Sequence, residues 1–150
     1  DEYAHAGMSP REGNNYVSDD MAECTRMMRV LAYDVPRVRQ AKARFDRIST
    51  KEDFDMTLQL LRAGLKNAVV YSFAQGHVAS NAPGGCSTFR TKDVMTKDAC
   101  ALARLHPGLV AVVEKRTKSA WGGGVRHEVR VSWKKAFASS WAPNDKVTNR

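Results

Sequence analysis

The apolar residues of this chain change their spacing at His106-Pro107-Gly108, and that change limits what the sequence can fold into. Upstream they recur every three to four positions, the period of an α-helix; downstream Val and Trp alternate with Arg and Glu, the period of a strand. The segments LVAVVEKRTK (109–118) and VRHEVRVSW (125–133) therefore predict the two arms of a β-hairpin. Proline and glycine at the junction end the helical part.

Helices are expected before the junction. Asp20 and Glu23 have the spacing of a capping box, and Met21, Cys24, Met28 and Leu31 would share one face of a helix running to about Tyr33. Pro36 suits the first turn of a second helix, whose narrow apolar stripe (Val38, Ala41, Phe45, Ile48) is flanked by Arg37, Arg39, Lys42, Arg44 and Arg47. Ser49 and Glu52 repeat the capping box. The long helix after them aligns Phe54, Leu58, Leu61, Leu65, Ala68 and Ser72 and stops at Gly76. A shorter helix spans about Thr96 to Leu105. The expected fold class is α+β: three to four helices followed by a C-terminal antiparallel β-hairpin or small sheet.

A chain of 150 residues, 43% apolar, is sized for a single domain over residues 1–150 that buries its core without staples. Its polar N-terminal stretch (about 1–18), rich in Gly, Asn and Pro, reads as an extended arm, and its end (about 134–150) as an aromatic, basic tail. Lys66 and Asn67 interrupt the longest apolar run, so no transmembrane segment is expected. Beginning at Asp1 rather than Met, the sequence reads as a processed mature chain or a fragment, organellar or exported.

Net charge is +8, and residues 101–150 hold seven of the eight. Such asymmetry points to nucleic acid, anionic lipid or an acidic protein surface as the partner of that end. Within the hairpin, a loop over Ala120 to Gly124 would set Glu114 opposite Arg130, Arg116 opposite Glu128 and Val113 opposite Val131. Each charge pair would contribute about 0.2–1 kcal/mol, whereas a two-residue slip sets like charges together. Lys115, Lys118 and Arg126 near the loop, and Lys134 and Lys135 at its base, then stay unmatched, with Trp121 at the tip. An aromatic among unpaired cations suits base stacking and phosphate contact, so these six residues form the candidate site for RNA or an acidic protein partner. The alternative is a solvated hairpin with Trp121 folded back. The basic second helix poses the same choice between phosphate contact and a solvated face.

Cys86 follows two glycines in a loop whose backbone amides could lower a thiol pKa, with His77, His106 or His127 as base. No local signature links these residues, and no catalytic residue is assigned. His127 falls on the apolar phase of its strand and is expected to pack. The cysteines and histidines lack the close paired spacings of zinc sites, and WGGGVR and APGGCS lack phosphate-loop spacing, so no metal and no cofactor is assigned. Glu52, Asp53 and Asp55 are accounted for by the first turn of a helix. Cys86 and Cys100 are the cysteines most readily bridged, against an alternative of three reduced thiols. The expected function is a non-enzymatic basic binding or structural subunit of a larger assembly, a ribonucleoprotein first, with RNA or protein subunits as partners. The alternative is an exported small domain with one disulfide, acting as an inhibitor, adhesion component or hydrolase.

Overall fold

The computed structural model describes residues 2–10, 17–27, 30–76, 89–117 and 124–141. The architecture is α+β with, as expected, an antiparallel hairpin in its C-terminal part; a short helix follows it, where an aromatic, basic tail was expected from about residue 134. In chain order the elements are β1 (His5–Pro10), β2 (Met21–Glu23), β3 (Val30–Tyr33), α1 (Val35–Gln40), α2 (Glu52–Arg62), β4 (Asn67–Gln75) and α3 (Lys92–Leu105). They continue with β5 (Val110–Thr117), β6 (Gly124–Val131), α4 (Trp133–Ala138) and a 3-10 turn, Ser139–Trp141. The first four strands form one sheet in the order β2-β4-β1-β3, with β1 parallel to β4 and antiparallel to β3; β5 and β6 form the hairpin.

The four-stranded sheet corrects three expectations for the N-terminal half. Residues 5–10, expected in a polar arm, are an inner strand with His5, Gly7 and Ser9 buried. Glycine is needed at position 7 because a Cβ there would lie 2.8 Å from Met27 Cε and 3.0 Å from the Val30 carbonyl oxygen. Residues 21–33, expected as a helix, hold the edge strands β2 and β3, and Cys24 leaves β2 with a left-handed backbone (φ 46°). Asn67 fastens that turn, accepting from the Thr25 N–H (3.1 Å) and donating to the Thr25 carbonyl (2.7 Å). Residues 67–75, expected as the far half of the long helix, are β4.

Gly64 explains where that helix stops. At φ 78° its N–H reaches the Leu61 carbonyl (3.0 Å), and the Leu65 N–H reaches that of Leu60 (3.0 Å), which closes the helix end as a Schellman motif. The Val-Val-Tyr stretch that follows favours a strand.

Helix α2 is the centre of the molecule. Met56, Leu58, Leu60 and Leu61 are fully buried, and Thr57 faces β1, where its hydroxyl lies 3.3 Å from His5 Nε2. Leu58 and Leu61 join Leu102 of α3, Leu109 and Val110 at the start of the hairpin, Ala136 of α4 and Cys24 in the main core. The expected Ser49 cap is not made: Lys51, left-handed at φ 65°, precedes the helix without a side-chain cap. Ser49 instead donates to Asp98 Oδ2 (2.8 Å), which also accepts from the Thr50 N–H (2.6 Å) and hydroxyl (2.7 Å). Burial pushes the Asp98 carboxyl up, but these bonds and the nearby Lys51 outweigh it and hold the group below its usual range. Helix α1 stops at Gln40, short of the expected Ile48, and Lys42 follows with φ 53°. Helix α3 starts at Lys92 rather than Thr96, capped by the Thr91 hydroxyl.

The hairpin register also differs from the charge-matched one. Val110 faces Val131 and Val112 faces Val129, so Glu114 lies opposite His127, Arg116 opposite Val125, and Ala111 opposite Arg130. The valine at 110 belongs to the main core and that at 131 packs against it. Burying such side chains is worth about 1.5–3 kcal/mol each, more than the exposed charge pairs it displaces. Among the described residues, no helix is long and apolar enough to cross a membrane.

Candidate anion-binding cleft

The end of α1, the loop after it, the C-terminal half of α2, the turn between α3 and β5, and α4 with its 3-10 extension enclose a cleft of about 720 Å³. Lys42, Arg47, Arg62 and Lys135 line it together with Gln59, Gly108, Ser139 and Ser140, and no carboxylate is among the described residues that line it. Gln59 fixes the loop to the helix: it accepts from the Arg44 N–H (3.0 Å) and donates to the Arg44 carbonyl (2.8 Å) and to Asp55 Oδ2 (2.9 Å). Arg62 NH1 donates to the Leu105 carbonyl (3.3 Å), and Lys135 Nζ to the Gly108 carbonyl (3.1 Å). The two serine hydroxyls donate to the Ala136 and Phe137 carbonyls, so the cations rather than the hydroxyls attract an anion here.

Among the described residues Arg47 has a carboxylate partner, Asp55 Oδ2 at 3.3 Å beneath the surface. Lys42, Arg62 and Lys135 make no ion pair among the described residues. Cations of one sign on the walls of a concavity focus the field into it, which raises the local concentration of anions. The Asp55 carboxylate itself is fully buried, bonded through Oδ1 to His106 Nε2 at 2.6 Å.

Of the four described residues among the six singled out from the sequence, Lys135 alone lines this cleft. Its neighbour Lys134 lines a second depression of about 610 Å³ with Asp19, Glu23, Lys66 and Phe137. Lys115 is exposed and lies opposite Arg126. Arg126 is not unmatched as expected: its Nε sits 3.1 Å from Glu128 Oε1. Arg116 and Arg130 lack the cross-strand carboxylates assigned to them, because Glu114 and Glu128 face other residues. Lys118, Trp121 and Cys86 lie outside the described residues; Cys100 carries a free thiol.

Lys42 and Arg47 were visible in the basic run of the second predicted helix. Arg62 gives no signal of its own, and Asp55 reads as an acidic residue of a helix's first turn, its imidazole partner lying fifty-one positions away. Other reactive groups are set against chemistry. Burial, and then Glu23, push the Cys24 thiol up, the reverse of activation. His127 rests against α3, its Nδ1 3.2 Å from the Thr96 hydroxyl. Among the described residues, no three His, Cys, Asp or Glu side chains are grouped to hold a metal ion. No family model matches the chain, and no curated protein or solved structure matches it.

Proposed function

We propose that the chain is a non-enzymatic binding subunit of a ribonucleoprotein assembly that holds the sugar–phosphate backbone of RNA in the cleft between α1, α2 and α4. One observation carries this reading: four cations line a concavity of about 720 Å³ with no carboxylate among its described lining residues. Its volume is that of an ordinary ligand site. Among the described residues that line it none is aromatic; its cations suit phosphates, and contacts of that kind position a nucleic acid without reading its sequence. Phe73, 67% exposed on β4, fits a chain that lies against a neighbour.

Titration with a short single-stranded RNA at rising salt tests the proposal. The logarithm of the association constant should fall linearly with that of salt concentration, and Arg62→Ala and Lys42→Ala should each reduce the slope by about 0.7, one phosphate's share of released counterions. Binding that ignores salt, or a slope that neither substitution moves, refutes it.

A further inference from the structure

Beneath the cleft lie a carboxylate and an imidazole, Asp55 of α2 and His106 at the end of α3, both side chains 0% exposed. We infer that Asp55 and His106 are positioning residues that hold Arg47 and Arg62 ready for a phosphate, an inference that rests on the cleft being the phosphate site.

The hydrogen bonds run in one direction. A guanidinium has donors and no acceptor, so the approach of Arg62 NH1 to His106 Nδ1 at 3.4 Å requires a lone pair on Nδ1. The ring proton then sits on Nε2 and is donated to Asp55 Oδ1, 2.6 Å away. The other carboxylate oxygen faces Arg47 Nε at 3.3 Å and accepts from Gln59 Nε2 at 2.9 Å. One buried carboxylate therefore orients both arginines, Arg47 directly and Arg62 through a neutral imidazole of fixed tautomer. Carboxylates behind histidine ligands act on metal ions by the same logic, fixing the ring and making its far nitrogen a better partner. Arg47 engages Asp55 through Nε and is at the same time one of the residues that line the cleft. Ordering both side chains during folding removes that cost from binding.

Charge and positioning predict opposite signs for one substitution. Asp55→Asn removes a negative charge beneath a basic cleft, so if Asp55 only neutralises, the variant binds RNA more tightly. If Asp55 positions the arginines, Asp55→Asn weakens binding by about three- to tenfold, the equivalent of releasing one or two long side chains. A short single-stranded RNA is the probe, with thermal melting of each variant recorded alongside. Arg62→Ala is the control: no loss on Arg62→Ala overturns the cleft itself, while a loss there with tighter or unchanged binding by Asp55→Asn overturns the positioning role alone.

His106 gives a second test. His106→Asn can keep an acceptor where Nδ1 stood, whereas His106→Gln can replace only the Nε2 donor, so the Asn variant should retain the greater affinity. The reverse order, or equal affinities, counts against positioning. Should the variants not fold, nitrogen-15 shifts of the His106 ring in the unmodified protein decide the matter. A neutral ring protonated at Nε2 is required, and protonation at Nδ1 overturns the inference.

Discussion

His5 is buried without a full set of partners. It is 1% exposed, stacks on Tyr33 with ring centroids 5.1 Å apart, and meets the Thr57 hydroxyl through Nε2 at 3.3 Å. The Thr57 hydroxyl proton goes to the Asp53 carbonyl (2.8 Å), so its oxygen accepts and Nε2 carries the ring proton; among the described residues Nδ1 has no hydrogen-bond partner. Burial pushes the His5 pKa down to about 4. The folded pKa lies below the unfolded value of about 6.5, so the stability linked to this group is fully present above that pH and is lost as pH falls from there through about 4. The loss should approach about 3 kcal/mol. Asp98, its carboxyl held low in the folded state, contributes at more acid pH, where its stabilisation disappears as pH falls through the folded pKa. His5→Gln keeps a donor for Thr57 and does not titrate. Urea unfolding should then give a flatter dependence for His5→Gln between pH 6.5 and 4 than for the unmodified protein, and parallel curves would contradict the assignment.

At the scale of elements, periodicity identified the type of α2, α3 and the hairpin strands, but not that of β4, which is longer than either hairpin strand. It failed where one residue's backbone decided the outcome. Gly64 in the left-handed region ends α2, yet Leu65 and Ala68 happen to continue the helical stripe of Phe54, Leu58 and Leu61. The stripe through Met21, Cys24, Met28 and Leu31 was equally fortuitous, and Asn67, distant in sequence, closes the turn that makes it two strands. The hairpin shows how energies of different size compete. Its charges favoured one register and its valines another, and the valines prevail because Val110 belongs to the core and Val129 and Val131 pack against it. Their register sets Lys115 directly opposite Arg126, a like-charge contact that the matched register would have replaced with Val129. Lys115→Glu should accordingly stabilise the protein by about 0.2–1 kcal/mol, read as a higher urea midpoint. An unchanged or lower midpoint would favour the register in which position 115 faces valine.

For the whole molecule, charge counted along the chain located the basic surface only in part. Residues 101–150 carry nearly all the net charge, yet three of the four cleft cations, Lys42, Arg47 and Arg62, come from near-neutral stretches. Folding separates the signs there: Asp46 pairs with Arg44, Asp34 with Arg37, and Glu2 and Glu23 with Lys66, while Asp98 is buried among hydroxyls. Lys42 and Arg62 keep no ion-pair partner among the described residues and meet at the cleft with Arg47, a convergence that no linear count could reveal. Lys134 and Lys135 expose the difference most directly. They are adjacent and identical in sequence terms, but a helix turns about 100° per residue, and α4 sends them to different surfaces. Lys135 reaches Gly108 at the cleft, whereas Lys134 lines the depression that holds Asp19 and Glu23, where carboxylates oppose an anionic partner. Lys135→Ala should therefore lower the salt slope of RNA binding by about 0.7, and Lys134→Ala should leave it nearly unchanged. Equal reductions would mean that the partner follows the basic C-terminal sequence rather than the cleft, because only a folded, one-sided site can tell these two lysines apart.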